Sequence, residues 1–287
     1  MKRIVILMHE SQTPGRHHYL IDALGEVWRR QGLHVSCVYG VREHPEADLL
    51  IPHVNLTRLP ARYVEYIASF PHVANRDVAD ISKRTVSAEL LRPGDDYEGP
   101  VLVKTDRNYG GRPEYRAFRR RHPVLARLGR HARAIADRFP GQRMAWRRVM
   151  DSYVVYDSLA AVPRGAFRNP ALVVERFLPE REGDRFFIRH YLCLGDRRRS
   201  VRVAGSAPFL KRKASSLVDE GLPVPEAVLG LRRRLGLDYG KIDYTMHQGR
   251  PAILDVNRTP GVPGAADATA RTVGDLADGI WSLLRER

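Results

Sequence analysis

The sequence has only two cysteines among 287 residues, few lysines, and no stretch near 18 apolar residues. Each shortage excludes something. Cys37 and Cys193 lie far apart, so there is no disulfide framework, and reduced thiols in a cytosolic protein are the expectation. Both sit in segments that read as buried strands. The N-terminal run Ile4-Val5-Ile6-Leu7-Met8 is followed at once by His9 and Glu10, which is too short for a signal h-region or a membrane span, and it reads as a first buried strand. Self-similarity at a period of 20 to 50 residues is absent, which excludes a solenoid or propeller. Clusters of Cys and His with metal-ligand spacing are missing, as is a Gly-x-Ser-x-Gly elbow. No Gly-x-Gly-x-x-Gly follows the first strand, which disfavours a dinucleotide-binding enzyme.

Positive charge, by contrast, is abundant. Of 48 Lys and Arg only six are lysine (Lys2, Lys83, Lys104, Lys211, Lys213, Lys241), and against 33 Asp and Glu they give a formal charge of +15. The preference for arginine fits a GC-rich codon bias, while the excess points to an anionic partner rather than to a fold. Apolar residues at 43% and charged residues at 28% fit a soluble globular protein with a core shared between two or three lobes. Residues 112–148 alone hold twelve arginines against Glu114 and Asp137, a local charge of +10.

The order of patterns suggests an α/β part and an α+β part. Strand Arg3–Met8, a helix carrying Tyr19, Leu20, Ala23, Leu24 and Val27 on one face, a stop at Gly32 and strand His34–Tyr39 imply parallel pairing, with loops at the strand C-terminal ends open to a ligand. Leu49–Val54 is a third strand that Pro52 confines to an edge or bend. Residues 1–78 therefore read as an N-terminal α/β lobe, 79–170 as a second part with a helical insertion over 112–150, and 171–287 as a third. In the second part a short helix runs through Val86 and Leu91, then comes strand Val101–Lys104 and a glycine loop to Arg112. In the insertion Leu125, Leu128, Ala132, Ile135 and Phe139 keep an apolar helical face, with Pro123 at its start and Pro140-Gly141 at its end. Strands follow at 153–156, 172–177, 186–194, 200–204, 241–246 and 252–257, and a closing helix at about 273–284.

Three segments carry chemistry. In the hairpin from Lys241 to Gly261, Asp255 and Asn257 stand two apart and share a strand face, and Asp243 can reach that face from the partner strand. Two carboxylates and an amide oxygen are hard donors of the kind that hold Mg²⁺; a solvent-exposed polar face is the competing explanation. Lys104 ends a buried strand ahead of Asn108-Tyr109-Gly110-Gly111, which places a point charge beside backbone able to wrap over phosphates, and Lys83 lies on the preceding helix. Val173-Val-Glu175-Arg-Phe177-Leu-Pro179 can offer an adenine edge its backbone groups and Glu175, with Glu182 or Asp184 for ribose hydroxyls. The same residues also fit a strand followed by a solvated acidic turn.

In this order and spacing the segments resemble the ATP-grasp superfamily. The run Asp255-Val-Asn257-Arg-Thr-Pro-Gly261 is similar to the Glu-x-Asn-x-x-Pro-Gly of D-alanyl-D-alanine ligases and ribosomal-protein glutamate ligases, with Asp255 in place of the usual Glu. The resemblance covers about residues 80–261. It implies an ATP-grasp fold with an N-terminal parallel α/β lobe and an Arg-rich helical insertion, and an ATP site between two α+β lobes. It further implies Lys83 and Lys104 on the phosphates beside the Gly110-Gly111 loop, Glu175 and Phe177 at the adenine, Glu182 or Asp184 at the ribose, and Asp243, Asp255 and Asn257 on Mg²⁺. The activity implied is a cytoplasmic, ADP-forming carboxylate-amine ligase acting through an acylphosphate. Arg189 matches a position that stabilises the acylphosphate, with Arg202 as a second candidate, and an ordinary surface role competes for both. A kinase acting on a polyanionic small molecule and a non-catalytic basic nucleotide-binding or adaptor module are the alternatives.

The Arg-rich insertion has no place in the minimal family pattern. A solvated face, a dock for an acidic peptide or protein, and a nucleic-acid contact all fit its charge. Few aromatics (Tyr115, Phe118, Trp146) accompany the arginines, and no nucleic-acid motif appears. His17-His18 could face the ligand as a contact or a base, or simply lie exposed.

Overall fold

The computed structural model describes residues 1–12, 19–136, 144–145, 147–209, 216–262 and 266–285, with backbone alone at 130 and 132–136. His17-His18, Arg138, Phe139, Pro140-Gly141, Arg143 and Trp146 lie outside the described residues, as do the side chains of Ala132 and Ile135. The chain divides into two compact units, one formed by residues 1–81 with 179–287 and the other by 82–178.

The first unit opens with β1 (Arg3–Met8), α1 (Leu20–Arg30), β2 (His34–Tyr39), β3 (Leu49–His53) and α2 (Ala61–Ala68). The three strands make a parallel sheet in the order β2-β1-β3. β1 is central and therefore apolar along its length, with Ile4 to Met8 all buried, as a strand covered on both faces must be. α1 turns Leu20, Ile21, Leu24 and Trp28 inward and ends ahead of Gly32, whose φ of 84° suits glycine. Pro52 sits on the outer strand, where a missing N–H does no harm. Cys37 lies in a strand as expected, but β2 is the other edge, so its thiol is exposed rather than buried.

Residues 82–178 comprise α3 (Lys83–Val86), β4 (Val101–Thr105), α4 (Arg112–Arg121), α5 (Pro123–Ala136), β5 (Val154–Tyr156), α6 (Arg164–Arg168) and β6 (Leu172–Arg176). The sheet is antiparallel in the order β5-β4-β6, over a core of Val101, Val103, Met150, Leu159, Val162, Leu172 and Val174. α3 stops four residues in, short of the expected Leu91. Leu90 bridges Glu175 and the Leu91 amide donates to the Val174 carbonyl, because Leu91 belongs to this sheet's core. The helical insertion forms, yet α4 buries no side chain, and Val124, Leu125 and Leu128 of α5 are exposed. The apolar face expected to meet a core meets none in these two turns.

The first unit resumes with β7 (Glu180–Glu182), β8 (Arg185–Leu194), β9 (Arg197–Gly205), β10 (Ser216–Glu220), α7 (Glu226–Leu235), β11 (Tyr239–His247), β12 (Arg250–Asn257), α8 (Ala266–Leu276) and α9 (Ile280–Arg285). An antiparallel sheet runs β10-β9-β8-β11-β12, with β7 paired to the outer part of β8. β7 and β10 are additions to the strands expected from sequence. Leu192, Leu194, Tyr239, Val273, Leu276 and Ile280 share one core cluster with β1 and α1, and the Trp28 indole donates to the Ala277 carbonyl at 2.9 Å. The N-terminal parallel sheet and the chain's last helices are therefore packed into a single core.

Candidate nucleotide and metal residues

Register decides which side chains of the antiparallel sheet share a face. Asp243 pairs with Asp255 across β11 and β12, Lys241 with Asn257, and His190 of β8 with Asp243. Directly opposite residues project to the same side. One face thus carries His190, Lys241, Asp243, Asp255 and Asn257, which brings together all three residues expected to hold a metal and adds two the sequence reading missed. Lys241 could have been found from its i, i+2 spacing to Asp243. His190 lies on a strand whose register the sequence alone does not supply.

Both oxygens of Asp243 are engaged: Oδ1 lies 2.6 Å from His190 Nδ1 and Oδ2 lies 2.9 Å from Lys241 Nζ. Burial alone would raise its pKa, but the Lys241 ammonium and the His190 ring outweigh burial and hold it well below the usual carboxylate range. Burial and the same ammonium keep His190 below the ordinary histidine value. A neutral imidazole therefore donates its Nδ1–H to an ionised carboxylate. The Asn257 side-chain oxygen accepts from the Thr259 amide at 2.9 Å and its hydroxyl at 3.2 Å, which fixes the side chain at the strand end. Behind it the buried Arg258 donates to the carbonyls of Leu56, at 2.5 Å, of Thr57, at 3.0 Å, and of Val78.

Arg189 and Arg202 lie directly opposite each other on β8 and β9. Arg189 is the neighbour of His190 in an alternating strand, so it projects to the other face of the sheet, away from Asp243, Asp255 and Asn257. There it grips Glu180 with Nε at 3.1 and 3.0 Å and Nη2 at 2.8 Å. Arg202 pairs with the same carboxylate at 2.8 Å, bonds Glu182 and Asp219, and lies over the Phe187 ring at 3.6 Å. Burial would raise the Glu180 pKa; Arg189, the Met246 amide and Arg202 together push it down instead. The sequence pattern located both arginines on the right strands but not on the metal-side face. Of the two ribose candidates, Glu182 is paired with Arg202, while Asp184 stands in solvent, 3.5 Å from Arg181.

The unit 82–178 gathers the remaining candidates. Lys104 Nζ lies 2.7 Å from Glu175 Oε2, both side chains being 3% exposed. Glu175 Oε1 is equally buried and accepts no hydrogen bond within the protein. Lys83 is buried too and donates to Asn108 Oδ1 at 2.6 Å. Tyr109, Gly110 and Gly111 all have positive φ, at 50°, 64° and 76°. A Cβ on Gly110 would stand 2.1 Å from the Met150 carbonyl oxygen, and one on Gly111 would stand 2.7 Å from that of Arg148. The glycine pair thus permits a close backbone crossing as well as an open loop surface. Phe177 is half-buried, and its amide donates to the Pro100 carbonyl at 2.9 Å, so that N–H is already engaged.

No protein-family model and no curated protein sequence matches the chain. Solved structures do. An ATP-grasp ligase, PsnB, complexed with a phosphomimetic variant of its minimal precursor, Mg and ADP, superposes with a TM-score of 0.55 at 11% identity, covering 98% of each chain. D-alanine–D-alanine ligase from Bacillus anthracis gives 0.51 at 12% identity over 100% of this chain and 97% of that one. A RimK domain ATP-grasp protein from Sphaerobacter thermophilus gives 0.50 at 13%, over 97% and 99%. Such identities speak to fold alone, and three ATP-grasp structures matched end to end agree on it: the fold of the chain is that of the ATP-grasp superfamily.

Proposed function

We propose that the chain is an ATP- and Mg²⁺-dependent ligase that activates a carboxylate as an acylphosphate and transfers the acyl group to an amine, releasing ADP and phosphate. The observation that carries the reading is the common face of Asp243, Asp255 and Asn257. Among the described residues no three His, Cys, Asp or Glu side chains form a metal cage on their own. Mg²⁺ needs none, because it is typically held by one or two carboxylates together with waters and substrate phosphates. The face is also suited to positive charge, since the Lys241 ammonium already rests on Asp243. Once bound, the metal neutralises phosphate charge during in-line transfer.

The nucleotide half of the reading rests on Glu175. A buried carboxylate oxygen with no hydrogen bond from the protein is an open acceptor, suited to the exocyclic amine of adenine. Lys104 and Lys83 would meet phosphate oxygens with the Gly110-Gly111 backbone, Phe177 would flank the base, and Glu182 or Asp184 would reach the ribose. Lys241, on the metal-side face, is better placed than Arg189 or Arg202 to stabilise the acylphosphate, and the two arginines would brace the sheet from behind. No helix among the described residues is long and apolar enough to cross a membrane, and a cytoplasmic setting belongs to the same reading. The carboxylate would arrive on an acidic peptide or protein that the Arg-rich helices hold.

Asp255→Ala is expected to abolish Mg²⁺-dependent ATP turnover while leaving circular dichroism and melting temperature unchanged. Undiminished turnover in that variant overturns the metal assignment. ADP release from a panel of amino acids, peptides and polyamines separates the reaction types. A ligase needs carboxylate and amine together, whereas a kinase yields a stable phosphorylated product from one acceptor.

A further inference from the structure

The tip of the α4–α5 hairpin carries an apolar surface that no other described part of the chain covers. Val124 is 70% exposed, Leu125 55% and Leu128 60%. Their spacing of three and four residues gathers them on one side of α5. Arg119, Arg120 and Arg121 immediately precede them and Arg127 stands among them, all exposed. Arg112, at the far end of α4, is neutralised by Asp151 at 2.6 Å, but Arg119, Arg121 and Arg127 make no ion pair among the described residues. Single exposed leucines are ordinary; three adjoining apolar side chains ringed by uncompensated guanidinium groups repel one another and leave hydrocarbon in water.

We propose that this tip docks an acidic polypeptide segment in which a pair of apolar side chains is flanked by carboxylates. Charge complementarity selects acidic flanks and the Val124–Leu125–Leu128 trio selects the apolar centre. A nucleic-acid backbone would set phosphates against the trio. A lipid surface would need a longer apolar stripe than one turn, and α4 offers none, since Arg116 and Arg119 to Arg121 are all exposed along it. The inference deepens the ligase reading and rests on it in one respect, that the docked segment presents the carboxylate to be activated. α4 starts directly after Gly111 and has 10 residues. At roughly 1.5 Å per residue the tip stands about 15 Å from the glycine loop, a span of about five extended residues. The activated carboxylate should therefore lie about five residues from the apolar pair.

The test uses the full chain and a fluorescein-labelled 16-residue peptide of glutamates with a central Leu-Leu pair, read by anisotropy. Replacing that pair by Ser-Ser should weaken binding about tenfold, and so should Leu125→Ser with Leu128→Ser on the protein, at unchanged melting temperature. Arg119→Ser, Arg120→Ser and Arg121→Ser together should weaken it by a similar factor and flatten its salt dependence. Undiminished binding by these variants overturns the proposal. So does tighter binding of duplex RNA or of phosphatidylserine vesicles than of the peptide, lost through the same substitutions. Asp255→Ala should leave peptide affinity unchanged. If the peptide binds as described but no condition gives ATP turnover, the ligase reading fails and the docking surface stands.

Discussion

His53 is wholly buried at the end of β3, edge-on to Tyr19 at 4.6 Å, and neither ring nitrogen has a hydrogen-bond partner in the protein. Burial, with the nearby Arg258 adding to it, pulls its pKa down to about 3. The unfolded imidazole titrates near the ordinary value of about 6.5, so on acidification the unfolded chain takes up the proton first. Stability from this residue is complete above about pH 6.5 and falls by roughly 1.4 kcal/mol per unit as pH drops toward 3. His53→Phe should remove that part of the slope. Urea unfolding at pH 7 and pH 5 checks it, and equal losses in wild type and variant would contradict it. Arg258 is the second residue on which much depends. Arg258→Met leaves three buried carbonyls without their donor, at a cost of about 3 kcal/mol or more. Because the strand end that fixes Asn257 is anchored there, Mn²⁺ affinity should fall as well; a variant that loses stability but keeps full metal affinity would show that the anchor does not position the ligand. At this scale the sequence was partly legible. Asp255 and Asn257 reveal a shared face through period-two geometry, which needs no register. His190, and the outward projection of Arg189, depend on pairing between strands far apart in the chain.

Elements were more legible where periodicity was unopposed. β1, α1, β2, β8 and β11 follow their apolar patterns to within two residues at each end. β7 and β10 did not show because they are short or exposed: Glu180–Glu182 reads as a solvated acidic turn, and only its pairing with β8 makes it a strand. That small strand has a structural role out of proportion to its length, since Glu180 ties β8 and β9 through two arginines and β11 through the Met246 amide at 2.9 Å. Glu180→Ala should cost about 3 kcal/mol or more, because two half-buried guanidinium groups facing each other lose their common counter-charge. Glu180→Gln, which keeps the shape and some hydrogen bonds, should recover part of it. Thermal melts of the two variants decide, and equal destabilisation would mean that charge is not what Glu180 supplies. The glycine loop was read from sequence as a phosphate wrap, and the structure gives the same residues a packing reason. Gly110→Ala should therefore destabilise the unit 82–178 even in the absence of nucleotide.

At the scale of the whole molecule, the chain leaves its first unit after Ile81 and returns to it at Pro179. The returning segment completes the core of the opening one: Ile280 is fully buried in the cluster that holds Ile4, Ile6, Leu20 and Trp28, and the Asn75 side chain donates to the Tyr239 carbonyl at 2.7 Å. Sequence patterns showed the parallel sheet and the closing helix separately, but an apolar stripe does not name the stripe it meets. Joining them makes β1 and the metal-bearing strands one cooperative body. Truncating a buried isoleucine to alanine typically costs about 2 to 5 kcal/mol. Ile280→Ala should thus lower native-state hydrogen-exchange protection in β1, β8 and β11 together, although the substitution lies in none of them. β4 and β6, whose core is their own, should keep their protection. If β1 is spared while the last helices alone open, the terminal segment is a separable cap rather than part of the same core; if β4 falls equally, the two units unfold as one.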